Sequence, residues 1–159
     1  MMSFLLKVWR WLPLSEWGRW RLSWCLTQKF LVGVMAIVFD EAGQILLLNH
    51  TYRHDYSWGL PSGWLKARES AADAIEREVA EETGFRIQAL RPLIIGGDKE
   101  FPRVDLIFVC QWLGGAFRPS AEVSKGKFFS LKALPDSIHP YQHRLIFQAA
   151  GLLQIGRPT

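Results

Sequence analysis

The chain has 159 residues, 49% hydrophobic and 21% charged, which fits one globular domain with a sizeable core. Its two cysteines, Cys25 and Cys110, are too few for a disulfide framework and favour a reducing, cytoplasmic setting. Residues 1–30 contain five basic side chains and one acidic side chain, Glu16, and so account for the whole net charge of +4. The remainder is neutral, so its charge gives no indication that it binds DNA.

The first thirty residues also hold five of the eight tryptophans. Apolar side chains recur at helical spacing, which predicts two short amphipathic helices separated near Pro13. The repeat is carried by Leu5, Val8, Trp9 and Leu12, and then by Trp17, Trp20 and Trp24. The apolar runs are too short and too interrupted by arginine to span a bilayer, and they do not resemble a signal peptide.

Three interpretations of this tryptophan-rich extension are open. It packs against the chain's own domain or a homodimer partner, it lies on a membrane surface, or it helps to build the substrate pocket. Packing is favoured, because aromatic stripes at helical spacing usually form core. A boundary near Lys29 then divides the chain into an extension, 1–30, and a domain, 31–159.

The domain begins with two apolar, strand-like runs, 31–39 and 44–49. Between them, the segment 40–43 has the composition of a hairpin turn. Further strands are predicted at 87–95, 104–112 and 127–130, and a closing helix at 141–152. The predicted elements thus follow one another in an ordered alternation along the chain.

A helix is predicted between the second and third of these strands, from Ala71 to Thr83. Ser70 followed by Asp73 is typical of a helix N-cap with a capping box. Gly84 stands where a left-handed residue ends many helices.

Three carboxylates share one strip of this helix, at the edge of its apolar stripe: Glu78, Glu81 and Glu82. Like charges at these spacings destabilise a helix by roughly 0.2–0.5 kcal/mol per pair, and a partly buried carboxylate without a partner costs more. A bound hard cation removes both penalties, and an all-oxygen ligand set favours Mg²⁺ or Mn²⁺ over Zn²⁺. The alternative is a solvated acidic face paired with Lys and Arg.

The segment 63–85 resembles a complete Nudix box. Its matching positions are Gly63, Glu69, Arg77, Glu78, Glu81, Glu82 and Gly84, with Val79 and Phe85 at the bulky apolar positions. The resemblance extends over about residues 31–150, from Gly33 through 58–61 to Phe128 and Phe129. It implies an α/β/α sandwich with a mixed central sheet, and hydrolysis of a nucleoside diphosphate linked to another group.

The resemblance also implies roles for individual residues. Glu78, Glu81 and Glu82 would be metal ligands, Glu69 would support the site, and Arg77 would orient the acidic cluster. The general base in the family is either a glutamate of the box helix, here Glu78 or Glu82, or an acid on a later loop. Glu122 is the preferred loop candidate, and Asp98 and Glu100 compete with it.

The substrate-binding residues are predicted by chemical type. Arg53 and Arg103 would bind phosphates, Gly63 would lie at the site, and aromatic side chains would stack on a base. The aromatic candidates are Trp58 and Phe101, with Tyr52 and Tyr56. Nucleotide sugars or ADP-ribose are favoured as substrates over nucleoside triphosphates and RNA 5′ ends. An alternative of another class is a non-catalytic Nudix-fold binding module.

Overall fold

The computed structural model describes residues 15–98 and 100–154. Within them the chain forms three α-helices and seven β-strands. In chain order these are α1 (Glu16–Leu26), β1 (Leu31–Phe39), β2 (Ile45–His50), β3 (Trp58–Gly59), β4 (Ser62–Trp64), α2 (Ala71–Thr83), β5 (Phe85–Gly97), β6 (Arg103–Gly115), β7 (Val123–Phe129) and α3 (Pro140–Leu152).

The strands form one mixed sheet around β1. Strand β1 pairs in parallel with β6 along its whole length, and antiparallel with β4 and, at Phe39, with β2. Beyond these neighbours, β5 pairs antiparallel with β6, while β3 and β7 both pair antiparallel with β2. The predicted mixed sheet is therefore confirmed.

Alternate residues of β1 face two separate hydrophobic clusters. Val34, Ala36 and Val38 pack with the apolar face of α2, whereas Ile37 and Phe39 pack with that of α3. This period of two is expected for a strand buried on both faces. The sheet lies between the two helices, which confirms the predicted α/β/α sandwich.

The predicted elements are present, with differences at their ends. Helix α2 and strand β1 have the predicted bounds, and the turn before β2 is closed by a hydrogen bond from the Gln44 amide to Asp40 Oδ1 (2.7 Å). Strands β5, β6 and β7 are longer than predicted, because sheet pairing continues past the apolar runs. Two short strands, β3 and β4, were not predicted.

The favoured prediction was packing on the chain's own domain or on a homodimer partner, and the first of these is wrong for the tryptophans of α1. Packing on a homodimer partner stays a prediction. None of the α1 residues is buried, and Trp17, Trp20 and Trp24 expose 74%, 58% and 55% of their surface. The helix forms, because Ser15 caps it by accepting from the Gly18 amide, but helical spacing alone does not supply a surface to pack against. The first predicted N-terminal helix lies outside the described residues. Among the helices of 15–98 and 100–154, none has the length and apolar character needed to cross a membrane.

Candidate active site

Helix α2 is fixed at both ends by local hydrogen bonds. Ser70 Oγ accepts from the Asp73 amide (3.1 Å), and Asp73 Oδ2 accepts from the Ser70 amide (3.4 Å), which completes the predicted capping box. At the other end Gly84 adopts a left-handed φ of 73° and its amide donates to Ala80 O (2.9 Å). These caps set which side chains of α2 face the strand β4.

Arg77 ties α2 to the loop that precedes it. Its Nε and Nη2 donate to the two carboxylate oxygens of Glu69 at 3.0 and 2.8 Å, and Nη2 also donates to the Trp64 carbonyl (3.2 Å). Glu69 accepts a further hydrogen bond from the Lys66 amide (2.6 Å). The Arg77 guanidinium, followed by that amide, lowers the pKa of Glu69 to about 2.

The same arginine contacts two glutamates of its own helix. Arg77 Nη1 donates to Glu78 Oε1 (2.7 Å) and to Glu81 Oε2 (3.1 Å). Hydrogen bonds from Arg77 to Glu69 and Glu78 raise the pKa of the guanidinium above its ordinary value. Arg77 thus neutralises part of the acidic strip and holds Glu78 toward the loop.

Glu82 has a different environment. Its side chain is 8% exposed, and Oε2 is buried without a hydrogen-bond partner among the described residues. Burial, followed by repulsion from Glu78 and Glu122, raises the pKa of Glu82 to about 8, against a small opposing effect of Arg53. A buried carboxylate beside two others is unfavourable unless positive charge or protons are supplied.

Gly63 leaves room for Glu78. A Cβ built on Gly63 would overlap the carboxylate carbon of Glu78, and it would lie 2.6 Å from Glu78 Oε2. The backbone at Gly63 is held in place by pairing of β4 with β1, in register with Val34. The glycine therefore lets the Glu78 carboxylate approach the strand.

Two adjoining cavities meet at the acidic cluster, with volumes of about 350 and 200 Å³. Glu78, Glu82 and Glu122 line both of them. The larger cavity is also lined by Tyr52, Arg53, Ser62, Gly63, Trp64 and Arg103. The smaller cavity is also lined by Glu81, Ser120 and Ala121.

Glu122 reaches the cluster because its loop is anchored to the end of β2. The Thr51 amide donates to the Glu122 carbonyl (2.9 Å), and Thr51 Oγ1 donates to the Ala121 carbonyl (2.8 Å). The Ser120 hydroxyl accepts from the Val123 amide (3.1 Å) where β7 begins. These backbone contacts place a loop carboxylate opposite the glutamates of α2.

Arg103 enters the larger cavity in a fixed orientation. Its Nε and Nη2 each lie 2.7 Å from Asp105 Oδ1, and its guanidinium carbon lies 5.2 Å from the centre of the Trp64 ring. A Cβ on Gly33 would overlap that Asp105 oxygen, so the glycine in β1 makes room for the pair. The arginine is therefore held between an anion and an aromatic face.

The NUDIX domain family model matches residues 29–149, which is most of the chain. The chain belongs to the Nudix family. The predicted resemblance is thus confirmed, and the predicted enzyme class, a Nudix-type pyrophosphohydrolase, is confirmed at the level of the family. The division into 1–30 and 31–159 stays a prediction.

Named relatives differ in the nucleotide that their names specify. An 8-oxo-dGDP phosphatase of Danio rerio is 33% identical over 95 residues, covering 58% of this chain and 28% of the relative. An ADP-ribose pyrophosphatase of Methanocaldococcus jannaschii is 26% identical over 106 residues, covering 62% and 61%. The crystal structure of an ADP-ribose pyrophosphatase from Streptococcus suis superposes with a TM-score of 0.66 at 25% identity, covering 82% of this chain and 97% of that one. The chain thus spans less than two thirds of these two curated relatives.

The Nudix box glutamates fit an oxygen-liganded cation. In the parts of the chain that the structure describes, no three Asp, Glu, His or Cys side chains are already arranged as a metal site. Two of the three glutamates, Glu78 and Glu81, instead accept hydrogen bonds from Arg77. The buried Oε2 of Glu82, which has no partner among the described residues, does favour a cation, because a cation would satisfy it. The ligand set Glu78, Glu81 and Glu82 therefore stays a prediction.

Two predicted substrate contacts lie away from these cavities. Trp58 packs edge-on against Phe129, with ring centres 5.0 Å apart, and joins the α3 side of the core. Phe101 is 66% exposed and lines neither acidic cavity. Arg53, Arg103 and Gly63 do line the larger one, as does Tyr52.

The competing loop acids also lie elsewhere. Asp98 Oδ1 accepts from the Glu100 and Phe101 amides at 2.7 and 3.1 Å, and these bonds lower the pKa of Asp98. Neither Asp98 nor Glu100 lines the acidic cavities, whereas Glu122 lines both. The geometry therefore favours Glu122 among the loop candidates.

Three residues near the site were not predicted from the sequence. Trp64 follows Gly63 directly, but its place at the cavity depends on strand β4, which was not predicted either. Asp105 lies two residues after Arg103, and this alternate spacing in a strand indicates a shared face. Gln142 is buried on α3 and accepts from the Leu60 amide (3.0 Å), a long-range contact without a local signature.

Proposed function

We propose that this Nudix domain hydrolyses the diphosphate bond of a nucleoside diphosphate linked to another group, with Mg²⁺ or Mn²⁺ as cofactor. One observation carries the proposal. The buried, unpartnered carboxylate of Glu82 lies with Glu78 and Glu122 at a cavity that also presents Arg53 and Arg103. A site with carboxylates and arginines at one cavity suits a ligand that carries both bound cations and phosphate oxygens.

ADP-ribose or a nucleotide sugar is the proposed substrate type. The archaeal and streptococcal relatives are both named ADP-ribose pyrophosphatases, and the streptococcal chain is covered almost completely. The larger cavity, of about 350 Å³, offers Tyr52 and Trp64 as aromatic surfaces for a base or ribose.

The two arginines would bind and orient the diphosphate. Arg103 is already held by Asp105 and the Trp64 ring, so little side-chain entropy is lost when its free donors bind phosphate oxygens. Arg53 lines the same cavity and provides a second cationic contact. A divalent cation held by Glu78, Glu81 and Glu82 would neutralise charge on the diphosphate and lower the pKa of the attacking water.

Glu122 is the proposed general base. Its loop backbone is anchored by Thr51, and its carboxylate lines both acidic cavities, so it can accept a proton from a water in either one. Glu82 is the alternative base within α2. Arg77 and Glu69 are positioning residues, because they hold Glu78 and the preceding loop through their own hydrogen bonds.

A second candidate substrate is an oxidised guanine nucleotide, which the name of the zebrafish relative favours. A panel of ADP-ribose, nucleotide sugars, nucleoside triphosphates and 8-oxo-dGDP, each with Mg²⁺ and with Mn²⁺, separates the candidates. We expect a nucleoside monophosphate and a sugar phosphate as products. Release of pyrophosphate from triphosphates would indicate the predicted alternative, and binding without turnover by the wild type would indicate a non-catalytic module.

The requirement for the acidic cluster is tested by Glu82→Gln. This change preserves the shape of the side chain and removes its charge, so we expect turnover to fall by about a hundredfold or more while the fold is retained. Wild-type turnover in this variant would contradict the assignment of the metal site. The cytoplasmic setting stays a prediction.

A further inference from the structure

Helix α1 presents a continuous row of three tryptophans on one face. The rings of Trp17 and Trp20 lie 6.0 Å apart and those of Trp20 and Trp24 lie 5.6 Å apart, the latter pair stacked. Each ring is more than half exposed. A contiguous aromatic surface of this kind, on a helix with no buried residue, marks an interaction site.

This aromatic row serves neither the core nor the site already described. The buried clusters draw on β-strands, α2 and α3, and no residue of α1 belongs to them. None of the described residues before Tyr52 lines the acidic cavities. Among residues 15–98 and 100–154, the row therefore belongs neither to the core nor to the acidic site.

The basic side chains near the row indicate which partner is complementary to it in charge. Arg21 lies at the edge of the face that carries the row, and Lys29 Nζ lies 5.6 Å from the centre of the Trp24 ring, whereas Glu16 is the single acid of residues 1–30. A second copy of the helix would bring the same positive charges together. An anionic lipid surface complements them.

We propose that helix α1 binds the surface of an anionic lipid bilayer through Trp17, Trp20 and Trp24. Tryptophan prefers the boundary between headgroups and acyl chains, where its ring is apolar and its N–H stays hydrated. Arginine and lysine beside it reach the phosphate groups of the headgroups. With 11 residues the helix is about 16 Å long, so it lies on the surface and cannot cross the hydrocarbon core.

Vesicle co-sedimentation of the full chain tests this proposal without reference to turnover. Vesicles of phosphatidylcholine with about 30% phosphatidylserine are compared with phosphatidylcholine alone. We expect the protein to partition onto the anionic vesicles, and the binding to weaken in about 0.5 M NaCl. The triple variant Trp17→Ala, Trp20→Ala, Trp24→Ala is expected to lose tenfold or more of this partitioning.

Two further variants separate the contribution of the basic residues from that of exposed apolar side chains in general. Arg21→Glu with Lys29→Glu keeps the aromatic row, and each basic residue near an anionic surface is worth about a fivefold change in partitioning, so at least a tenfold loss is expected. The control replaces three exposed apolar side chains elsewhere, Leu90, Leu113 and Phe147, with alanine and is expected to bind as wild type does. Circular dichroism verifies that each variant is folded.

Three results would overturn the proposal. One is the absence of binding to anionic vesicles. Another is binding that the triple tryptophan variant retains. The third is a dimer in analytical ultracentrifugation that this variant dissociates, without vesicle binding by the wild type, because a second copy of the chain would then cover the row.

Discussion

The carboxylate of Glu78 occupies the space that a Cβ on Gly63 would fill. Gly63 does not have a positive φ, so its backbone conformation would suit other residues. The requirement for glycine is therefore steric, and it arises because pairing between β4 and β1 holds the backbone against α2.

The variant Gly63→Ala tests this relationship. The added methyl group must displace the Glu78 side chain, and a shift of about 1 Å in a catalytic site can cost about a hundredfold in rate. We expect a loss of kcat/KM of that order, with a small change in melting temperature. Gly96→Ala is the matched control, since the nearest atom to a Cβ there is Ile94 Cγ2 at 3.7 Å. Equal activity of the two variants would contradict the steric account.

The identity of the general base is tested with a pair of variants. Glu122→Gln removes the loop carboxylate at the acidic cavities, and loss of a general base typically costs 10²–10⁴-fold in rate, so we expect kcat to fall by about this factor. Glu100→Gln changes the competing loop acid, which lies outside those cavities, and should leave kcat unchanged. A pH–rate profile of both variants is the measurement. If Glu100→Gln were the slower enzyme, the assignment of the base would be wrong.

Asp105 is expected to act through Arg103. The variant Asp105→Asn keeps the size of the side chain but weakens its hold on the guanidinium, which is 2.7 Å away at Nε and at Nη2. We expect KM to rise several-fold with kcat little changed, because the effect is on phosphate binding. Asp136→Asn, at an exposed aspartate, is the control. A fall in kcat at constant KM would show that Asp105 does not act by positioning Arg103.

The stability of the domain should depend on pH through His50. This ring is 2% exposed, and burial followed by repulsion from Arg53 lowers its pKa from 6.5 to about 4. Because the folded state favours the neutral ring, the stabilisation is present above pH 6.5 and is lost as the pH falls from 6.5 to 4. Urea unfolding should therefore show a loss of about 2 kcal/mol between pH 7 and pH 5 from this residue.

The control for His50 uses an exposed histidine, His54, in the loop that follows β2. His50→Gln cannot gain a proton, so its free energy of unfolding should change less between pH 7 and pH 5 than that of the wild type. His54→Gln should behave like the wild type, because this residue is exposed. Identical pH dependence in all three proteins would rule out His50 as the source.

Most features that depend on interactions between residues close in sequence were predicted correctly. The Ser70 and Gly84 caps gave the bounds of α2, and the apolar runs located β1 and α3. The strand β4 was missed because its three residues have no apolar alternation and form only through pairing with β1. The environment of Glu82, the anchoring of Glu122 by Thr51 and the pair Arg103–Asp105 depend on contacts between distant segments.

The tryptophans of α1 illustrate the opposite case. Their spacing predicted a helix correctly, but an interior position requires a facing surface that the sequence of the helix does not specify. The same pattern is compatible with a lipid surface, and only the three-dimensional arrangement shows that the three tryptophans are exposed and join neither described core cluster.

Uptake of Mn²⁺, measured by electron paramagnetic resonance in the presence of ADP, shows whether Glu78, Glu81 and Glu82 hold a divalent cation against a diphosphate. We expect saturable uptake by the wild type and its loss in Glu82→Gln, with Glu100→Gln binding as the wild type does. Absence of uptake by the wild type, or equal uptake by wild type and Glu82→Gln, would contradict this metal site.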